Sequence, residues 1–264
     1  MKNKKLLSIL LLIGVVVLGG ITFAYSKMKS GSKQAEEATP KKKRVSLPEV
    51  EYSQAPYVLI EPVDSHNISL SVIAIKQSAQ SAEYELEYQA GSLLQGAFGE
   101  LDLGSLPVSE KILLGSCSAG GACTYHEDVQ GGSLLARFTG GESDYQAKAD
   151  WKYIDNAAKE TEFSSKDGKF QLVAKTLASH RYLIIFNGFG YPTGLTGTAD
   201  SSAYTLTTSS KLSGQAELTI RANSEEATKI VGYDGATWHE FTTTKDGKML
   251  TATVDLMQTY LAVK

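Results

Sequence analysis

Hydrophobic and polar residues alternate along most of this chain beyond residue 55, and this alternation predicts short β-strands. In Glu83–Tyr88, two tyrosines and a leucine point one way and three glutamates the other. Tyr145–Tyr153 is the clearest case, with apolar residues at every odd position and polar residues at all four positions between them. Strands with one polar face belong to antiparallel sheets that have one solvent-exposed side.

Other segments predict strands buried on both faces and the turns that connect strands. Ile68–Ile75 and Tyr182–Phe186 are apolar at consecutive positions, which indicates interior strands. Asp-Gly occurs twice within Lys-Asp-Gly-Lys, at Lys166–Lys169 and Lys245–Lys248, and this pair suits the positive φ angles of a tight hairpin turn.

These patterns predict an all-β fold with two antiparallel β-sandwich domains. The first domain is predicted over residues 55–157 and contains both cysteines, and the second over residues 158–264. Each block has several short strands and no convincing helical period, as sandwiches do. A single larger β-structure is the alternative interpretation.

The N-terminal segment, residues 1–30, predicts a membrane anchor. Three lysines within the first five residues precede Leu6–Tyr25, which has no charged residue. About 20 residues of helix span about 30 Å, the thickness of a bilayer core, so the lipid bilayer is the predicted partner of Leu6–Tyr25. A cleaved signal peptide is the alternative, because Thr22-Phe23-Ala24 is a passable cleavage site.

Residues 31–54 predict a flexible linker between the anchor and the β-strands. This segment is polar, contains Pro40 and Pro48, and shows neither the helical nor the strand period. Its basic run Lys41–Arg44 suits contact with anionic lipid headgroups, although a solvated linker run is the simpler interpretation.

A basic N-terminus before an apolar run is the layout of an export signal. We therefore expect a single-pass protein of the cell membrane with residues 55–264 extracytoplasmic.

Composition narrows the classes of partner. The 264 residues carry a formal net charge of −3, which gives no reason to expect nucleic acid binding. The 24 glycines fit a chain with many turns, and the excess of tyrosine (13) over phenylalanine (8) fits amphipathic strand faces.

Cys117 and Cys123 are the only cysteines, and they flank a short glycine-containing loop. The simplest interpretation is a disulfide, to which the chain-entropy model assigns about 2 kcal/mol for so short a loop. The sharper interpretation makes Cys117 a nucleophile. The order His66, Cys117, Arg137 resembles that of sortase-type transpeptidases, in which histidine promotes thiolate formation and arginine steadies an oxyanion.

Other chemistry receives little support from the sequence. Cys117, Cys123 and His126 are candidate zinc ligands, but the cysteine pairs of structural zinc sites are usually closer together in the sequence than these two. There is no EF-hand loop, no Gly-x-Ser-x-Gly elbow and no Walker phosphate loop. We therefore expect no metal, no cofactor and no catalytic residues.

The candidate binding residues are Phe189 and Tyr191, in the glycine-rich segment Asn187–Gly197. Long loops with exposed aromatic residues commonly contact partners, here an envelope protein or a glycan. The alternative is a wide turn whose aromatic side chains fold back into the sandwich. A separate set of in-register aromatic residues is interpreted as core rather than as a glycan platform: Tyr84, Tyr88, Tyr145, Trp151 and Tyr153.

The second block resembles β-sandwich modules of ankyrin- and netrin-receptor-like proteins and of exported bacterial proteins. The resemblance lies in Gly235-Ala236-Thr237-Trp238, a turn and tryptophan, and in the closing strand Thr259–Val263. The first block, with Leu113-Leu114-Gly115-Ser116-Cys117 and a nearby second cysteine, resembles membrane-anchored proteins of bacteria with small genomes. These resemblances imply an immunoglobulin-like module that mediates contacts without doing chemistry.

Overall fold

The computed structural model describes residues 46–264, which form one compact all-β unit. In the first half of this unit the strands are β1 (Tyr57–Asp64), β2 (Asn67–Ala74), β3 (Ser81–Ala90), β4 (Leu93–Asp102), β5 (Val108–Leu113), β6 (Gly115–Cys117), β7 (Cys123–Tyr125), β8 (Val129–Thr139) and β9 (Tyr145–Asp155). In the second half they are β10 (Glu162–Ser164), β11 (Phe170–Val173), β12 (Tyr182–Gly188), β13 (Ala203–Thr208), β14 (Gln215–Arg221), β15 (Lys229–Tyr233), β16 (Trp238–Phe241), β17 (Thr243–Asp246), β18 (Met249–Asp255) and β19 (Thr259–Val263). Two short 3₁₀ helices, Tyr52–Gln54 and Lys175–Ser179, complete the described elements.

The strands form four antiparallel sheets. A nine-stranded sheet has the order β16-β15-β19-β13-β12-β9-β8-β3-β4 and therefore draws strands from both halves of the chain. A three-stranded sheet has the order β1-β2-β5, and a five-stranded sheet the order β10-β11-β14-β18-β17. Strands β6 and β7 form a separate two-stranded ribbon.

The three-stranded sheet covers one face of the nine-stranded sheet near its β4 end. Ile60, Ile68 and Ile112 from the small sheet share a buried cluster with Leu86 and Trp151 of the large one. In β3, Tyr84, Leu86 and Tyr88 are buried while the intervening glutamates point to the other face, so the predicted alternation is confirmed. The five aromatic residues interpreted as core are all buried.

The five-stranded sheet covers the opposite face of the nine-stranded sheet, near its other end. Strand β12 shows this directly, because its successive side chains alternate between the buried cluster under the three-stranded sheet and a second cluster under the five-stranded sheet. Ile184 and Phe186 lie in the first cluster, whereas Leu183 and Ile185 lie in the second. Strand β12 is therefore the place where both covering layers overlap, and its predicted burial on both faces is confirmed.

The turn predictions are also confirmed. Gly168 lies between β10 and β11 with φ +70°, and Gly247 lies between β17 and β18 with φ +55°. Both angles fall in the left-handed region that Asp-Gly turns use.

The predicted domain boundary lies at residues 157 and 158, between β9 and β10. The second buried cluster lies wholly in the second block, but the first cluster includes Ile184, Phe186 and Phe189 of the second block, and the nine-stranded sheet runs through both blocks. The division into two domains stays a prediction.

The predicted anchor Leu6–Tyr25 lies outside the described residues. Within residues 46–264, no helix has the length and apolar character needed to cross a membrane.

Candidate partner-binding edge

The two cysteines are joined, as predicted. Cys117 and Cys123 face each other across the β6-β7 ribbon and form a disulfide with an S–S distance of 2.03 Å. The loop between them turns at Gly121, where φ is +84° and a side chain would be strained. The disulfide therefore links the two strands of a short exposed hairpin and stabilises it.

The structure does not bring His66, Cys117 and Arg137 together. His66 lies in the β1-β2 turn and stacks on Tyr125 of the ribbon, with ring centroids 4.1 Å apart. Arg137 lies on the solvent face of β8 and forms an ion pair with Glu85, on the side of the large sheet away from β1-β2-β5. Because the disulfide also removes the thiol, the transpeptidase alternative lacks both its nucleophile and its arrangement.

The residues considered for zinc have other partners. His126 Nδ1 lies 2.9 Å from the hydroxyl of Tyr88, and both cysteine sulfurs are in the disulfide. Among residues 46–264, no group of three or more histidine, cysteine, aspartate or glutamate residues is placed to hold a metal ion.

The predicted binding residues lie in the loop after β12. Phe189 is only 5% exposed and packs edge-on against Phe186, with centroids 5.5 Å apart. Tyr191 is half-buried against the ring of Tyr52, and the ammonium of Lys76 lies 3.8 Å from the Tyr191 ring centroid. Contact of Phe189 with a partner would require this packing to open, and the binding role of the pair stays a prediction.

Large exposed apolar side chains instead concentrate on strand β4. Leu93, Leu94 and Phe98 are 63%, 67% and 80% exposed, the three highest values among the large hydrophobic residues of the described chain. Strand β4 is also the last strand of the nine-stranded sheet and pairs in a ladder only with β3. We name Leu93–Asp102 the β4 edge. It combines unpaired backbone groups with exposed apolar side chains, the combination that folded proteins usually avoid.

The inner face of the β4 edge is held by close packing against β3. A Cβ placed on Gly99 would lie 2.6–2.8 Å from ring atoms of the buried Tyr84, so the tyrosine ring lies directly over this glycine. Leu101 is buried in the first cluster. The strand is therefore fixed along one side and one face, while its other side and face are open.

Carboxylates border the outer face of the β4 edge. Glu83 of β3 pairs in register with Glu100 of β4, and Asp102 lies two residues beyond on the same face. All three residues are exposed, and the nearby Arg137 is paired with Glu85. We name Glu83, Glu100 and Asp102 the acidic margin. It creates a negative potential at one end of the β4 edge, next to Phe98.

An open groove begins at the other end of the β4 edge. Its volume is about 1090 Å³, and its lining includes Leu94 and Gln89 on one side and Lys166 on the other. Gln89, Leu94 and Lys152 belong to one row of register-paired residues on the same face as Phe98. The exposed apolar surface of β4 therefore continues into a groove lined by both apolar and polar residues.

Sequence reasoning missed strand β4. Its sequence, Leu-Leu-Gln-Gly-Ala-Phe-Gly-Glu-Leu-Asp, contains two glycines and places leucine or phenylalanine on both faces, so no period stands out. The signal that was available is the Ala90-Gly91-Ser92 turn directly after a strongly alternating strand, which predicts a hairpin partner of similar length.

No protein-family model, no curated protein and no solved structure matches this chain. The resemblance to ankyrin- and netrin-receptor-like modules stays a prediction.

Proposed function

We propose that this chain is a non-catalytic, membrane-anchored binding module of the cell envelope, made of two β-sandwiches held outside the membrane. In this proposal Leu6–Tyr25 is the anchor, residues 31–54 are the spacer, and the β4 edge captures a partner protein by strand addition. The observation that carries the proposal is the 80% exposure of Phe98 on an edge strand that pairs only with β3.

Two features support an extracytoplasmic location. The apolar run Leu6–Tyr25 follows a basic N-terminus, the arrangement of export signals. The Cys117–Cys123 disulfide lies on an exposed ribbon, and exposed disulfides persist mainly in oxidising compartments outside the cytosol.

Strand addition is supported by the geometry of the β4 edge. An added strand would take up the unpaired N–H and C=O groups of β4, and these backbone bonds supply affinity in strand-addition complexes. Pockets and exposed side chains along the edge then supply specificity, and Leu94 and Phe98 offer such contacts on one face. A glycan would leave most of the backbone groups of the edge without partners.

The experiment is site-specific photo-crosslinking in intact cells of the source organism or a reconstituted envelope. A photoreactive phenylalanine analogue replaces Phe98 and, as a matched control, Val173, which is 43% exposed on β11 of the five-stranded sheet. We expect a protein adduct of discrete mass from position 98 and none from position 173. Equal labelling at both positions, or no adduct at position 98, would remove the β4 edge from the proposal.

Location is tested separately by adding a protease to intact cells. Residues 55–264 should be digested without opening the membrane. Protection of this segment until the membrane is permeabilised would contradict the extracytoplasmic placement.

A further inference from the structure

We propose that the occupant of the β4 edge is an extended segment of a partner protein with basic residues at one end and apolar residues along the rest. This inference rests on the proposed strand-binding function and adds the chemistry of the partner. In the added strand, two basic side chains two residues apart would lie beside Glu100 and Asp102, and an apolar side chain two residues further would lie beside Phe98.

The first step of the argument is the register of β4. Leu94, Phe98, Glu100 and Asp102 all point to the outer face, because side chains alternate along a strand. A strand added at about 4.8 Å places its own side chains within about 5.5 Å of these residues. The positions beside Leu94 and Phe98 therefore favour apolar side chains, and those beside Glu100 and Asp102 favour cations.

The second step is the arrangement of the acidic margin. Glu83 and Glu100 are directly opposite each other in the β3-β4 ladder, and like charges in such positions are destabilising. Arg137 lies directly opposite Glu83 in the β3-β8 ladder but forms its ion pair with Glu85, and within residues 46–264 Glu83 and Glu100 take part in no ion pair. A lysine or arginine from an added strand would lie beside Glu100 and relieve this repulsion.

The third step excludes a second copy of this chain as the preferred occupant. In an antiparallel pair of β4 edges, each acidic margin would lie beside the Leu93–Leu94 end of the other copy, and because β4 contains no lysine or arginine, Glu100 and Asp102 would gain no cation. Edge pairing of ten-residue strands also provides little of the roughly 800 Å² per partner found in stable dimers. The lack of a cation in β4 therefore favours a segment that brings its own basic residues over a second copy of this chain.

The test uses the full-length protein and labelled nine-residue peptides with a threonine at every second position. Two peptides carry the order Lys-x-Lys-x-Phe and its reverse, to allow either strand direction, and two controls replace both lysines by glutamate. Binding is followed by fluorescence anisotropy at about 0.05 M and 0.5 M salt, where the Debye length falls from about 14 to about 4 Å.

We expect one lysine peptide to bind at least ten-fold more tightly than its glutamate control at low salt. The ratio should fall below three-fold at high salt and in the Glu100→Gln/Asp102→Asn variant, while Glu142→Gln, at an exposed turn outside the margin, leaves it unchanged. Unchanged tryptophan fluorescence verifies that each variant is folded.

Equal affinity for the lysine and glutamate peptides would overturn the charge inference while leaving strand addition intact. Failure of every peptide to bind would also overturn it, and failure together with no adduct at position 98 would reject the proposed function as well. A dimer cross-linked through position 98 would identify a second copy as the occupant and overturn the inference.

Discussion

Replacing Gly132 by alanine should destabilise the protein severely, because three strands meet at this glycine with no room for a side chain. Gly132 of β8 pairs with Tyr88 of β3 on one side and with Trp151 of β9 on the other. The missing side chain lets the two rings approach to a centroid distance of 6.3 Å. It also lets the indole N–H of Trp151 donate to the carbonyl of Glu87, at 3.1 Å.

The magnitude follows from the collision that a methyl group would cause. A Cβ on Gly132 would lie 2.0 Å from the carbonyl oxygen of Glu87 and 2.8 Å from Cα of Tyr88, and both are backbone atoms that cannot rotate away. Relieving this contact requires the strands to separate by more than 1 Å. Overpacking costs about 1–3 kcal/mol, and the loss of the Trp151 hydrogen bond about 1 kcal/mol more. We therefore expect a loss of about 3 kcal/mol.

The assay is thermal unfolding followed by fluorescence in a Trp238→Phe background, which leaves Trp151 as the only tryptophan. For a unit of this size, 3 kcal/mol lowers Tm by about 6–12 °C. Gly96→Ala on β4 is the matched control, since its Cβ would lie 3.4 Å from the nearest atom and Tm should stay constant or rise slightly. A Tm for Gly132→Ala within 2 °C of the parent would refute the reasoning.

Two further predictions concern the disulfide and Glu61. Cys117→Ser/Cys123→Ser should lower the free energy of unfolding by about 2 kcal/mol, measured by urea denaturation, and a reductant should destabilise the parent but not the variant. Burial raises the pKa of Glu61 above its usual value of 4.5, so the folded protein binds this proton more tightly than the unfolded chain does. Its contribution to stability is therefore present below pH 4.5 and lost as pH rises through the raised pKa. Glu61→Gln should gain stability relative to the parent between pH 4 and pH 8, and a constant difference in Tm would contradict this.

Local patterns in the sequence were sufficient where burial follows from a strand's own alternation. Strands β3 and β9 were predicted because one face of each is buried and the other faces solvent. The Cys117–Cys123 disulfide was predicted because the two cysteines flank a short loop that can bring them together. The buried run Tyr182–Phe186 was predicted from continuous apolar residues, although the sequence offered no means to see that its two faces serve different clusters.

The candidate site was not predictable in the same way. Whether Phe98 is exposed depends on β4 being the last strand of its sheet, which is decided by pairing between residues distant in the chain. The burial of Phe189 likewise depends on Phe186 and on the layer above it, not on its own loop. Aromatic residues in glycine-rich segments are thus ambiguous until the long-range packing is known.

The position of β12 suggests how this protein would respond to a nick in its chain. The exposed residues Ala157, Ala158 and Lys159 join β9 to the second block, and a protease or a designed break would cut there. Five register pairs between β9 and β12 would still connect the pieces, and Ile184 and Phe186 would stay inserted in the core of the other fragment. The two fragments should therefore copurify after cleavage, and separately produced halves should reassemble, which makes this loop a natural place to build a split reporter.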